Sequence, residues 1–220
     1  MSAPKVREPG RNCPRCPRLA AFRAAQRSAH PDWHNAPVPA FGALDARLLV
    51  VGLAPGLKGA NRTARPFTGD HAGRMLFATL LRLGLARGTY GERADDGLAL
   101  AGVRITNAVR CVPPANRPVP SEFAECRPFL AREIGAMGRL RAILALGAGA
   151  HEQVLAVLGA APKRNWPFVH GAVHELADGR GRAFTLVDSY HCSRQNTNTG
   201  RLTQAMFEAA LSEAKRRAGL

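Results

Sequence analysis

Four short stretches of this chain are rich in β-branched or aliphatic residues, three of them apolar almost without interruption, and that pattern restricts the fold more than any other feature. Residues 47–53, 103–108, 141–146 and 183–188 are rich in β-branched or aliphatic side chains. Leu48-Leu49-Val50-Val51, Ala142-Ile143-Leu144-Ala145-Leu146 and Phe184-Thr185-Leu186-Val187 scarcely alternate with polar residues. A strand that is apolar on both sides has to be covered on both sides, as in a parallel sheet. The intervening segments carry a helical period. Residues 72–85 align Met75, Leu76, Thr79, Leu80 and Leu83 in one stripe, and 121–137 and 151–158 supply shorter helices. In 202–217 the residues Leu202, Met206, Phe207, Ala210, Leu211 and Ala214 share a face, and Lys215, Arg216 and Arg217 suit the negative end of the helix dipole. The alternation predicts an α/β fold, a three-layer α/β/α sandwich around a central, mainly parallel four-stranded sheet. With 220 residues, one domain spanning 1–220 is expected, its first 45 residues a loop-rich N-terminal segment.

In such sheets ligands bind beyond the carboxyl ends of the strands, so the segments that follow each strand are where chemistry is expected. These are Gly52-Leu53-Ala54-Pro55-Gly56 with its extension to Asp70, Asn107 to Cys111, Gly147-Ala148-Gly149-Ala150, and Asp188 to Arg201. Segments 113–120 and 179–182 read as surface loops or a hairpin. Thirty-one Lys and Arg against 16 Asp and Glu leave a formal charge of +15, the electrostatic footprint of a protein that binds a polyanion. No apolar run approaches the roughly 18 residues of a membrane span, and residues 1–11 are charged with no hydrophobic stretch behind them. A cytoplasmic, nucleoid-associated monomer with no membrane attachment is therefore expected.

Five cysteines are present. Without a secretory signal, a disulfide framework is the weaker reading. Cys13-Pro14-Arg15-Cys16 has the two-residue gap that lets two thiolates reach one metal, and Cys111 and Cys126 form a remote second pair. Four thiolates satisfy a tetrahedral zinc or a four-iron cluster equally well. Cys192 is left over, beside a histidine.

Several segments together resemble the iron-sulfur uracil-DNA glycosylases, specifically the type-b branch, family 5. They are Gly52-Leu53-Ala54-Pro55-Gly56, Gly59-Ala60-Asn61-Arg62-Thr63, Arg65-Pro66-Phe67-Thr68-Gly69-Asp70, Thr106-Asn107-Ala108-Val109-Arg110-Cys111-Val112-Pro113-Pro114 and Ser189-Tyr190-His191-Cys192-Ser193-Arg194-Gln195-Asn196-Thr197. The resemblance implies a [4Fe-4S] cluster on Cys13, Cys16, Cys111 and Cys126, near a DNA-contacting surface. It further implies a monofunctional glycosylase acting on double-stranded DNA that contains uracil or other deaminated bases. Leu53 matches the type-b branch, whereas the type-a branch carries an acidic residue there. Cys192 stands where a proline or aliphatic residue is more usual.

Chemistry supports the same residues. Breaking an N-glycosidic bond produces an oxocarbenium-like sugar and an anionic base, and both charges need stabilisation. Asp70 precedes an apolar-periodic helix, so it is at minimum a helix cap; the family assigns its counterpart to the attacking water or the sugar charge. His191 follows the last strand, where it can donate to a base carbonyl as negative charge develops. Asn107 can pair with the edge of a flipped base and Phe67 can stack on it, while the backbone at Ala54 and Gly56 can approach it closely. By resemblance Ser193, Arg194, Gln195 and Asn196 enter the minor groove. His30, His34, His71, His151, His170 and His174 read as ordinary surface residues. No lysine sits in a suggestive position, so an intact abasic site is the expected product. The rival readings are an iron-sulfur module that binds damage without turnover, a histidine that traps the abasic sugar covalently, and a hydrolase of small nucleotides.

Overall fold

A computed structural model of the chain describes residues 6–220; the first five residues of the charged 1–11 stretch lie outside the described residues. The elements run α1 (Pro17–Ala29), β1 (Leu48–Gly52), α2 (Ala60–Thr63), α3 (His71–Arg82), β2 (Ala86–Arg87), β3 (Ala99–Leu100), β4 (Val103–Asn107), α4 (Pro120–Ala136) and β5 (Ala142–Leu146). They continue with α5 (Ala148–Leu158), β6 (Val173–Ala177), β7 (Ala183–Ser189), α6 (Arg194–Asn198) and α7 (Gln204–Ala218).

All four expected stretches are strands, and they pair in parallel in the order β4-β1-β5-β7. Every residue of β1, β4 and β5 is buried. Successive side chains of β1 go to opposite layers. Leu48 and Val50 join Leu76, Phe77, Phe207 and Leu211 on the α3/α7 side. Leu49 and Val51 join Leu130, Ile134, Val154 and Leu155 on the α4/α5 side. Burial of each such side chain is worth about 1.5–3 kcal/mol.

The sheet differs from expectation in having five strands and mixed direction. The fifth strand, β6, pairs antiparallel with β7 at the edge. Its sequence, Val-His-Glu-Leu-Ala, buries only Leu176, so it lacks the apolar run that marks the others. The turn between them is the expected hairpin, organised by Asp178, whose Oδ1 accepts from the N–H groups of Arg180 and Arg182 at 2.9 and 3.0 Å. The N-terminal segment also departs from a pure loop: α1 starts at Pro17, which suits the first turn of a helix. Only Leu19 and Arg23 of α1 are buried, which leaves no apolar stripe to read.

A buried ion network fixes β4 against α4. Glu133, fully buried, accepts from Arg104 Nε at 2.7 Å and from Thr106 Oγ1 at 2.9 Å, and it pairs closely with Arg110. Its two guanidinium partners are themselves almost inaccessible. Removing the carboxylate charge would leave the part-exposed Glu8, 3.0 Å from Arg110 and 3.8 Å from Arg104, as the carboxylate facing both guanidinium groups. Glu133→Gln is therefore expected to lower the unfolding free energy in urea by about 3–5 kcal/mol, and a loss under about 1 kcal/mol would show that the network contributes little.

Candidate active site

The chain runs from β1 to β4 on one side and later crosses to β5 on the other, so a crevice opens at the carboxyl end of β1. A cavity of about 590 Å³ lies there, lined among others by Leu53, Ala54, Phe67, Asp70, Asn107 and His191. Gly56, Ser193 and Arg194 also reach it, while Gln195 and Asn196 do not. Segments nearly 140 residues apart in sequence thus meet because three parallel strands end at one level.

Asp70 is the N-cap of α3, with extended backbone at φ −133°, and its Oδ1 accepts the Gly73 N–H at 3.0 Å. The second oxygen, Oδ2, turns toward Gly56 and Gly59 at the cavity wall. One carboxylate therefore does two jobs with separate atoms. Burial pushes its pKa up, and the backbone N–H groups of Gly73 and Ala72 oppose that only in part. A more basic carboxylate is better suited to take a proton from water.

His191 stands two residues beyond β7 and lines the same cavity. Burial alone lowers its pKa from 6.5 to about 4, which keeps the imidazole neutral at physiological pH. Phe67 is buried with its ring centroid 5.9 Å from that of His191. Asn107 ends β4 opposite Gly52 in the register. Gly52 leaves space for both: a Cβ at that position would lie 2.5 Å from Asn107 Oδ1 and 2.5 Å from Phe67 Cζ.

The loop after His191 is short helix rather than open loop. Ser193 Oγ caps α6 by accepting the Asn196 N–H at 3.3 Å, and Asn196 Nδ2 donates to the His191 carbonyl at 2.8 Å. Two of the four polar side chains thereby hold the segment itself, and Arg194 and Gln195 are left exposed. His71, which the sequence reads as a surface residue, also lines the cavity, as do Lys58 and Asn116, which carry no signal of a site in the sequence. His71 is no bystander on the surface, since its Nε2 meets Thr197 Oγ1 at 2.8 Å and joins α3 to α6. Its position directly after the capping aspartate was the available signal.

The four-cysteine expectation needs correction. Cys111 and Cys126 are buried and Cys13 and Cys16 half-buried in an apolar cluster with Leu19, Val109 and Phe129. They border one cavity of about 20 Å³, room for about one water. Burial holds Cys16 up at about 11 and Cys126 up at about 12, and Cys111 is raised too. Cys126 accepts the Arg110 N–H at 3.3 Å and Cys111 accepts from Arg23 at 3.2 Å. Among the described residues, the ligand-bearing side chains that do gather within 4.8 Å of one another are His151, His174 and Asp188. The residues as placed thus do not form the ligand set of a [4Fe-4S] group.

That second trio is of a type that can hold a metal ion, and its atoms are already joined by hydrogen bonds. His151 Nδ1 meets Asp188 Oδ1 at 2.8 Å, His151 Nε2 meets the Trp166 carbonyl at 2.9 Å, and His174 Nε2 meets Asp188 Oδ2 at 3.1 Å. His151 is buried and His174 nearly so, contrary to the surface role expected of both. The network pins Asp188 at the root of the segment that carries His191.

Comparison with known proteins places this geometry in context. Residues 39–215 match the family described as the Uracil DNA glycosylase superfamily. A Thermus thermophilus protein named Type-5 uracil-DNA glycosylase is 47% identical over 214 residues, covering 94% of this chain and 94% of its own. The protein of that name from Pyrobaculum aerophilum is 43% identical over 212 residues, covering 94% and 90%. A Type-4 uracil-DNA glycosylase of the same organism is 34% identical over 160 residues, covering 72% and 67%. No helix among the described residues is long and apolar enough to cross a membrane.

The lowered pKa of His191 has a signed consequence. The unfolded chain takes up the proton near pH 6.5 and the folded protein only near 4, so stability falls as pH drops through that window. Urea unfolding between pH 7 and pH 4.5 is expected to show a shallower pH dependence for His191→Gln than for wild type. Identical slopes would mean that His191 titrates normally in the folded protein.

Proposed function

The chain belongs to the uracil-DNA glycosylase superfamily, in its type-5 branch, and from that membership we propose that it hydrolyses the N-glycosidic bond of uracil and of other deaminated bases in double-stranded DNA. The observation that carries the reading is the convergence of Asp70, His191, Phe67 and Asn107 on one cavity at the end of the sheet.

The chemistry follows from those groups. A flipped base enters the cavity, stacks on Phe67 and presents its edge to the Asn107 amide. As the bond from C1′ to the base nitrogen lengthens, electrons move onto the base and positive charge grows on the sugar. The neutral His191 imidazole donates to the base carbonyl oxygen that becomes anionic, and a donor that carries no charge of its own does so without trapping the product as a tight ion pair. Asp70 Oδ2 faces the sugar side, where it stabilises the oxocarbenium charge and accepts a proton from the water that attacks C1′. The base leaves with the bonding pair, water supplies the oxygen, and an abasic site remains. The cavity volume, within the range of small-molecule sites, leaves room for a purine as well as a pyrimidine. The +15 charge supplies backbone affinity for DNA, with exposed Arg194 beside the cavity. A monomer acting as one domain over residues 1–220, free in the cytoplasm and on the nucleoid, is the setting this activity fits.

The test uses duplex oligonucleotides with a single uracil or hypoxanthine. Strand cleavage that appears only after alkali is expected, and binding without any cleavage would overturn the proposal. Asp70→Asn is expected to slow single-turnover cleavage by about 10²–10⁴-fold while affinity for abasic DNA is kept. Equal loss of both would reduce Asp70 to its capping role.

A further inference from the structure

The segment that brings Phe67 and Asp70 to the cavity has no regular structure of its own. Phe67 sits at φ 56°, in the left-handed region that a bulky side chain rarely occupies. Something outside the segment must hold it there. Residues 90–98 between β2 and β3, to which the sequence assigned no part in the site, supply that hold.

Tyr90 grips the segment at two points, its hydroxyl donating to the Phe67 carbonyl at 3.2 Å and accepting the Gly69 N–H at 3.4 Å. Burial pushes the phenol up to about 12, so the proton it donates stays in place. The first turn of α3 closes over the same contact. A Cβ on Gly73 would lie 1.7 Å from the Phe67 carbonyl oxygen and 2.5 Å from the Tyr90 hydroxyl, so only glycine fits there.

Behind Tyr90 lies a second support. Arg65 donates through Nε to Thr68 Oγ1 at 2.8 Å and pairs with both oxygens of Asp96 at 2.7 and 2.6 Å. The two side chains are about 5% and 3% exposed, and the guanidinium also lies over the rings of Phe41, Phe77 and Tyr90 at 5.1–5.9 Å. Asp96 accepts the Gly91 N–H at 2.8 Å and the Leu98 N–H at 3.1 Å, which shapes the loop that presents Tyr90. None of Tyr90, Arg65 or Asp96 lines the cavity.

We propose that Tyr90, backed by the Arg65–Asp96 pair, is a positioning residue that acts through Phe67. It holds the ring at the angle a flipped base stacks on. The proposal rests on the glycosylase reading above.

Tyr90→Phe removes the hydroxyl and keeps the ring, which packs 4.6 Å from Phe77. Single-turnover cleavage of uracil DNA is expected to fall about tenfold, the rate equivalent of one lost hydrogen bond, with affinity for abasic DNA unchanged and the melting temperature lowered by no more than about 4 °C. In a Phe67→Ala background the same substitution should change the rate by less than about twofold, because the group it acts through is gone. An equal drop in both backgrounds, no drop in either, or a melting temperature lowered by more than about 4 °C would overturn the proposal. A wild-type protein without turnover would instead sink the glycosylase reading, so the two failures are distinguishable.

Discussion

A parallel sheet with no exposed face can meet a ligand only at its ends, and this constraint organises the rest of the molecule. β1, β4 and β5 are buried along their whole length. Their faces are committed to α3 and α7 on one side and to α4 and α5 on the other. Asn107 and His191 reach the cavity because they lie at or just beyond the ends of β4 and β7. Glu133 serves the same arrangement from within, since it fastens α4 to the strand that delivers Asn107.

The electrostatics of the cavity come from dividing labour among atoms. Asp70 spends one oxygen on the backbone of α3 and keeps the other for the cavity, so its position is set by the helix it starts. His191 contributes a neutral dipole because burial has removed its charge. In the proposed reaction a carboxylate on the sugar side and an uncharged donor on the base side would match the opposite charges that bond cleavage creates.

Legibility in the sequence followed the strength of the hydrophobic signal. Three of the four parallel strands, β1, β5 and β7, announce themselves as apolar runs, and α3 and α7 as stripes. β6 is an edge strand with one buried residue in five, and α1 buries two in thirteen, so neither carries a period to read. The cavity residues were legible because chemistry and family motifs both mark them. The supports were not: Tyr90 and Asp96 lie in a polar stretch between two-residue strands, and their partner Arg65 joins them only after folding. His151 and His174 read as surface because nothing local indicates that Asp188 will draw both inward. The paired cysteines led toward a cluster because spacing reports proximity along the chain, whereas ligation depends on where the sulfurs come to rest.

Gly52 gives the strand end a meaning beyond backbone shape. The missing side chain is occupied in effect by two others, an aromatic ring and an amide, which share the volume that one methyl group would fill. The polar and the stacking halves of the cavity are therefore not independent traits. A larger residue at 52 would displace both at once, so neither the amide nor the ring can be moved through this position without disturbing the other.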